Sequence, residues 1–157
     1  MGRGLADGLA LAGFILAVSA AASFGALYGP GDWYRALEKP FFNPPNWVFG
    51  PVWTMLYIAI AASGWLLWRA RHRAAVGLPL TVYFAQLLLN GAWTWIFFGL
   101  HRMGLALVDI LVLELCIVAL IVLSWRISRT VSFLLMPYAA WVAFASLLNA
   151  SLWWLNA

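Results

Sequence analysis

Five long apolar stretches dominate the chain, and short polar connections separate them. The stretches cover residues 5–27, 47–68, 78–100, 104–125 and 131–155. Because about 20 apolar residues of helix span a bilayer core of about 30 Å, each stretch is long enough for one crossing. The connections at 69–77, 101–103 and 126–130 are short, which makes successive helices antiparallel neighbours. The pattern predicts an all-α integral membrane protein, with residues 1–157 forming a single five-transmembrane-helix bundle.

The first stretch resembles a secretory signal peptide in one respect, because Arg3 precedes it and Ala and Ser residues lie near its end. Signal peptides usually have an apolar core of about 7–15 residues, and this stretch is longer. We therefore expect a helix that is retained.

Basic residues are distributed unevenly between the two ends of the predicted bundle. The end that holds the N-terminus has Arg3, Arg69, Arg71, Arg73, Arg126 and Arg129, and the other end has Arg35, Lys39 and Arg102. Because cytoplasmic loops of membrane proteins carry the excess of Lys and Arg, we expect a cytoplasmic N-terminus and a first loop that faces outward.

The composition supports a membrane protein and excludes several other classes. Hydrophobic residues make up 66% of the chain and charged residues only 9%, against roughly 25% charged residues in a soluble domain. Cys116 is the only cysteine, which excludes a disulfide framework. The formal net charge is +4, but the basic residues are spread over several connections, so we expect membrane lipid and no nucleic acid as a partner.

The first loop, residues 28–46, is rich in aromatic residues and proline. Asp32 is a candidate cap for a short helix over 33–39, which Pro40 would end, and Asn46 is a candidate cap for the second membrane helix. Its aromatic residues, with one just beyond it, are Trp33, Tyr34, Phe41, Phe42 and Trp47. Such a loop fits a lid over the mouth of the bundle, or alternatively an aromatic belt at the membrane interface.

The third apolar stretch has a polar and aromatic face. Gln86, Asn90, Trp93 and Phe97 share one side by helical spacing. Amide side chains inside a bilayer are costly unless they find partners, so this face points into the bundle. The amides either bond to a neighbouring helix, at Asn149 or Ser146, or are presented to a ligand.

Two further stretches present aromatic residues to the same interior. The second stretch places Trp53 and Tyr57 on one side, and the fifth places Trp141 and Asn149 on one side. Pro51 and Pro137 also remove backbone hydrogen bonds near the same mouth. Small-molecule sites are usually apolar pockets with a few polar anchors, so these faces predict such a site.

The sequence contains no residue pattern typical of hydrolytic, phosphoryl-transfer or metal chemistry. His72 and His101 fall on opposite sides of the predicted membrane, and Cys116 has no ligand-spaced partner, so no metal and no required cofactor are expected. Asp109 and Glu114 are five residues apart and lie on different sides of their helix. Glu114 is near the membrane midplane, where an acid is either a hydrogen-bonded packing residue or a candidate for proton coupling.

The chain resembles the translocator protein family, whose members are also called tryptophan-rich sensory proteins or peripheral benzodiazepine receptors. Residues 32–53 read DWYRALEKPFFNPPNWVFGPVW, and this run carries the resemblance. Supporting positions are Trp53, Tyr57, Gln86, Asn90, Trp93, Pro137, Tyr138 and Trp141. Phe41 and Phe42 are departures, because some bacterial members have tryptophan at these positions.

The resemblance implies a five-helix bundle of bacterial type, often a homodimer, that binds porphyrins such as protoporphyrin IX and benzodiazepine-type ligands. The implied role is a membrane receptor or sensor that modulates tetrapyrrole metabolism. The positions that match the family's pocket are Tyr34, Pro44, Trp53, Tyr57, Asn90, Trp93, Trp141, Ala145 and Leu148. We add Trp33, Phe42 and Asn149 as candidate ligand contacts.

A porphyrin fits these residues chemically. Trp53 and Trp141 can stack on its flat ring, and Arg35 and Lys39 can pair with its two propionates. One alternative function is light- and oxygen-dependent porphyrin degradation that uses Trp53 and Trp141, which match the two tryptophans implicated in the family. A second alternative is transport of porphyrin or another lipophile.

Overall fold

A computed structural model describes residues 3–157, with the backbone only for Arg3. Six α-helices are present in this range: α1 Arg3–Ala26, α2 Asp32–Ala36, α3 Asn46–Ala70, α4 Gly77–Thr94, α5 Met103–Trp125 and α6 Arg129–Leu155. A π-helical turn, Trp95–Gly99, continues α4. The described residues contain no β-strand.

Four helices, α1, α3, α5 and α6, are long and apolar enough to cross a membrane. The helix α4 has 18 residues and carries two amide side chains, Gln86 and Asn90. Both amides are buried inside the bundle. The architecture is therefore an all-helical membrane bundle.

The N-terminal ends of α2 and α3 lack the side-chain caps that the sequence predicts. The short helix α2 begins at Asp32 and ends at Ala36, and Gly31 precedes it without a side-chain cap. Asp32 instead forms an ion pair with Arg35, its Oδ1 atom 3.0 Å from Nη1. The helix α3 begins at Asn46 itself, after Pro45, also without a side-chain cap. The expectation that Asp32 and Asn46 are caps is wrong, because each lies one position inside its helix.

The long helices form a closed ring in the order α1, α3, α6, α5, α4. Gly64 of α3 allows close packing where α1 and α4 both approach. A Cβ atom at Gly64 would lie 2.6 Å from Cδ1 of Phe14 and 2.5 Å from Cζ of Tyr83. Even alanine is therefore too large at this position unless both rings move.

Two apolar clusters fill the ring. The larger one contains Ile60, Leu67 and Tyr83 and draws on all five long helices. The smaller one lies beneath the first loop, observed at residues 27–45, and contains Tyr34 and Phe97. The candidate site described next lies between the first loop and the larger cluster.

Candidate ligand-binding cavity

A cavity of about 390 Å³ lies within the ring, under the first loop. All five long helices, the π-helical turn and the first loop contribute to its wall. Its lining residues are Ala22, Gly25, Ala26, Tyr28, Gly29, Pro30, Tyr34, Asn46, Phe49, Gly50, Trp53, Tyr57, Asn90, Trp93, Thr94, Phe97, Phe98, Ile110, Leu113, Trp141, Val142, Ala145, Leu148, Asn149 and Leu152. The volume lies within the range of about 300–1,000 Å³ that is typical of small-molecule sites.

Aromatic rings from three helices form much of the wall. Trp53 of α3 packs against Tyr57 one turn later, with ring centroids 5.3 Å apart. Trp141 of α6 contacts Phe49 of α3 edge to face, with centroids 5.8 Å apart. A flat apolar ligand would therefore meet aromatic groups of both α3 and α6.

Tyr57 and Asn90 form the polar floor of the cavity and belong to a chain of hydrogen bonds that joins three helices. The Tyr57 hydroxyl of α3 donates to Asn90 Oδ1 of α4 at 3.1 Å. Asn90 Nδ2 donates to the Tyr138 hydroxyl of α6 at 3.0 Å, and that hydroxyl donates to Gln86 Oε1 at 2.8 Å. The buried amides thus pair with tyrosines, and not with Asn149 or Ser146 as one alternative expected. Asn90 Nδ2 makes one hydrogen bond in the described structure, although its amide group has two hydrogens.

Asn149 holds a second aromatic residue in the wall. Trp93 Nε1 donates to Asn149 Oδ1 at 3.0 Å, and Asn149 Nδ2 donates to the Met103 carbonyl at 2.9 Å. Both ends of this amide are therefore engaged within the protein. Asn149 lines the cavity but acts through Trp93 and the start of α5.

The π-helical turn brings two consecutive phenylalanines, Phe97 and Phe98, into the wall. The Phe97 ring stacks on Trp93 with centroids 5.2 Å apart. The turn is followed by His101, whose φ of 54° is in the left-handed region. A π-helical turn adds a residue to the helical repeat, which is how both phenylalanines reach the cavity.

Tyr34 of the first loop lines the cavity. Its hydroxyl donates to Asn43 Oδ1 at 3.2 Å, and its ring contacts Phe98 with centroids 5.4 Å apart. Burial raises the pKa of the Tyr34 hydroxyl above its ordinary value. The loop is also tied to the end of α6, since Asn156 Oδ1 accepts from the Glu38 amide and Asn156 Nδ2 donates to the Glu38 carbonyl, both at 2.9 Å.

The basic residues expected to pair with a ligand lie outside the cavity and have partners in the loop. Arg35 is exposed and pairs with Asp32. Lys39 Nζ donates to the carbonyls of Arg35 and Leu37, at 3.1 and 3.0 Å. Among the described residues, no Lys, Arg, Asp or Glu lines the cavity. Its wall is uncharged.

Three further expected contacts also lie outside the cavity wall. Trp33 stacks on His101 with ring centroids 4.1 Å apart. Phe42 contacts Phe144 with ring centroids 6.3 Å apart. Pro44 is half-buried, and its carbonyl accepts a hydrogen bond from Asn43. Trp33 and Phe42 pack against the smaller apolar cluster. In contrast, the cavity brings together Tyr34, Trp53, Tyr57, Asn90, Trp93, Trp141, Ala145, Leu148 and Asn149.

The two acids of α5 are not part of the cavity wall. Asp109 Oδ2 and Glu114 Oε2 are buried without a hydrogen-bond partner in the described structure. Asp109 is not among the described ion pairs. Within the described residues, no group of three or more His, Cys, Asp or Glu residues is arranged to hold a metal.

Sequence reasoning missed several wall residues. Phe49 lies one turn before Trp53, and this spacing was a usable signal. Phe98 had no such signal, because it reaches the wall only through the π-helical turn. The small residues of α1, such as Ala22 and Ala26, resemble any lipid-facing stretch in sequence.

Comparison with known proteins shows which protein family the chain resembles. Residues 9–155 match the TspO/MBR family. Tryptophan-rich protein TspO of Archaeoglobus fulgidus is 41% identical over 143 residues, which cover 91% of this chain and 92% of that protein. Translocator protein of Homo sapiens is 41% identical over 148 residues, 90% of this chain and 86% of that protein.

A third relative is the tryptophan-rich sensory protein of Cereibacter sphaeroides, which is 37% identical over 136 residues, 87% of this chain and 84% of that protein. Identity at this level over most of both chains confirms the resemblance that residues 32–53 carry. Together with the long apolar helices, it establishes that this chain is an integral membrane protein and belongs to the TspO/MBR family.

Proposed function

We propose that the protein is a membrane receptor that binds a porphyrin of the protoporphyrin IX class, or a benzodiazepine-type lipophile, in the cavity. Binding then modulates tetrapyrrole metabolism or a stress response. The observation that carries the proposal is the presence of Trp53 and Trp141 in the wall of one uncharged cavity. The names of relatives, such as sensory protein and translocator protein, agree with this role.

The chemistry of the cavity suits a flat and largely apolar ligand. Aromatic rings on two sides provide stacking surfaces, and an uncharged wall has no charge that would lose its hydration when the ligand enters. The free hydrogen of Asn90 Nδ2 and the lone pairs of the Tyr57 hydroxyl provide directional contacts on the floor. In most small-molecule sites, a small number of polar groups in an apolar wall fix the orientation of the ligand.

The propionates of a porphyrin require the loop to rearrange slightly. Arg35 and Lys39 would exchange their present partners for carboxylates of the ligand. The Arg35–Asp32 pair is exposed, and such pairs contribute only about 0–1 kcal/mol. The exchange of partners therefore costs little free energy. In this proposal the first loop acts as the lid of the site.

We also propose that five helices cross the membrane and that the N-terminus is cytoplasmic. The amides that make α4 polar are buried and hydrogen-bonded inside the ring, so they need not face lipid. Five crossings put the C-terminus outside. An alkaline phosphatase fused after residue 157 should be active in a bacterial host, and a fluorescent GFP fusion at that point would contradict the topology.

Binding is tested by titrating the protein in lipid nanodiscs with protoporphyrin IX in the dark. Saturable binding is expected for the wild type. Trp141→Phe keeps a ring but loses stacking area, so affinity should fall by about 0.5–1.5 kcal/mol, or roughly two- to tenfold. Trp154→Phe is the matched control, because Trp154 is on the same helix and 84% exposed. Equal effects of the two substitutions, or no saturation, would refute the proposal.

Light- and oxygen-dependent breakdown of the bound porphyrin is the second candidate, with molecular oxygen as the oxidant and the porphyrin as the group that is oxidised. The placement of both Trp53 and Trp141 in one wall favours it. Illumination should then give a new product spectrum that Trp53→Phe or Trp141→Phe abolishes. Bleaching at the rate of free porphyrin in empty nanodiscs would exclude this activity.

A further inference from the structure

Basic side chains gather at the end of the bundle that lies opposite the first loop. The C-terminal end of α3 meets the start of α1 there, since Trp65 Nε1 donates to the Asp7 carbonyl at 2.9 Å. The α5–α6 connection lies at the same end, because the other end of α6 is bonded to the first loop through Asn156 and Glu38. We call the arginines at this end the arginine surface: Arg69, Arg71, Arg73, Arg126 and Arg129.

Two arginines at the end of α3 lie over tryptophan rings of the same helix. The guanidinium carbon of Arg69 is 4.8 Å from the ring centroid of Trp65, and that of Arg71 is 4.3 Å from the ring centroid of Trp68. In both pairs the arginine follows the tryptophan by three or four residues, which brings the two side chains together on a helix. Attraction between the cation and the face of the ring holds each guanidinium in place.

A third pair of the same kind lies at the α5–α6 connection. Trp125 is the last residue of α5 and Arg129 is the first of α6, and the guanidinium carbon is 5.7 Å from the ring centroid. The helix α6 is a neighbour of α3 in the ring, so the three pairs belong to one side of this end. Tryptophan prefers the boundary between the hydrocarbon and the headgroups. A guanidinium held over such a ring is therefore expected at the depth of the lipid phosphates.

Acidic side chains of the protein do not neutralise the arginine surface. Asp7 is the only Asp or Glu at this end among the described residues, and its carboxylate is shared by Arg69 at 3.4 Å and Arg71 at 3.8 Å. The other three arginines are in none of the described ion pairs. No arginine of this surface lines the cavity. The excess positive charge is therefore directed to the surroundings of the bundle and not to the cavity.

We propose that the arginine surface binds the headgroups of anionic phospholipids, such as phosphatidylglycerol. A guanidinium group donates two parallel hydrogen bonds to phosphate oxygens, and its charge is not lost at any physiological pH. The tryptophan covers one side of the guanidinium and leaves the N–H edge free for the phosphate. An arginine that is already held over a ring also loses less side-chain entropy when the lipid binds. The anionic lipid is thus a partner of the protein that is separate from any ligand of the cavity.

A titration with labelled lipids tests this proposal. The protein in a neutral detergent is titrated with pyrene-labelled phosphatidylglycerol, and energy transfer from tryptophan to pyrene reports binding. Arg129→Gln removes one charge from the arginine surface. The matched control, Arg102→Gln, removes one charge from an exposed arginine at the first-loop end of the bundle. Trp125→Leu keeps every charge and removes one ring, and circular dichroism verifies that all three variants are folded.

We expect saturable binding of phosphatidylglycerol and much weaker binding of pyrene-labelled phosphatidylcholine, whose headgroup has no net charge. Arg129→Gln should weaken the binding of phosphatidylglycerol about fivefold, which is the usual effect of one basic residue near an anionic lipid surface. Trp125→Leu should weaken it roughly two- to fivefold through loss of the contact between ring and cation. Arg102→Gln should bind like the wild type.

Three outcomes would overturn the proposal. Equal affinity for phosphatidylglycerol and phosphatidylcholine would show that the headgroup charge is not recognised. Equal losses in Arg129→Gln and Arg102→Gln would show that the lipid does not bind at the arginine surface. Displacement of the labelled lipid by the same concentration of inorganic phosphate would assign the surface to a soluble phosphate group and not to a lipid.

Discussion

Replacing Tyr138 by Phe removes the hydroxyl that joins two buried amides of α4 to α6. This hydroxyl accepts from Asn90 Nδ2 and donates to Gln86 Oε1, and the Tyr138 side chain is fully buried. Gln86 Nε2 has no other partner in the described structure. The substitution therefore leaves the Gln86 amide without any of its present hydrogen bonds.

Two energies set the expected loss of stability: the cost of an unpaired buried polar group and the energy of a hydrogen bond between membrane helices. A buried polar group left unpaired costs about 1–3 kcal/mol in a soluble protein. Hydrogen bonds between membrane helices contribute less, about 0.6 kcal/mol on average, because the unfolded chain in the membrane also finds partners. With two bonds lost and one amide fully unpaired, we expect the free energy of unfolding to fall by about 1–3 kcal/mol.

Unfolding in mixed micelles, followed by circular dichroism, measures this change. The matched control is Tyr28→Phe, because the hydroxyls of the other four tyrosines are hydrogen-bonded in the described structure and that of Tyr28 is not among them. Tyr28→Phe should change the free energy of unfolding by less than about 0.5 kcal/mol. If Tyr138→Phe were equally mild, the hydrogen-bonded floor would not stabilise the bundle, and that part of the account would be wrong.

Three further predictions concern packing, the cavity wall and the loop. Gly64→Ala should destabilise the bundle by about 1–3 kcal/mol in the same assay, because a Cβ atom there meets the Tyr83 ring at 2.5 Å. Asn149→Leu should shift the fluorescence of Trp93, whose N–H loses its acceptor; an unchanged spectrum would contradict this. The Tyr34 hydroxyl should ionise above pH of about 10, because burial raises its pKa. Its contribution to stability is complete below that pH and is lost as the pH rises. If the wild type showed a phenolate absorbance at lower pH that Tyr34→Phe removed, the expectation would be wrong.

Hydropathy and helical spacing predicted much of the architecture. The long helices begin and end within a few residues of the apolar stretches, apart from α4, which passes into the π-helical turn at Trp95. Spacing alone also grouped Trp53, Tyr57, Asn90 and Trp141 on faces that the structure brings to one cavity. This works because a buried face must repeat with the helical period whatever its neighbours are.

Features that depend on contacts between distant residues were not predictable in this way. The amides of α4 pair with Tyr57 and Tyr138, and only the relative positions of three helices decide this choice. Arg35 and Lys39 suggested an anion site, but local geometry lets them bond within the loop.

The central claim is that the cavity itself is the binding site, and filling it tests this most directly. Ala145 lines the cavity, whereas Ala143, two residues earlier on the same helix, is exposed. We expect Ala145→Trp to abolish saturable protoporphyrin IX binding in nanodiscs and Ala143→Trp to bind like the wild type, with both variants folded by circular dichroism. Wild-type affinity in a folded Ala145→Trp would show that the porphyrin binds elsewhere and would contradict the account.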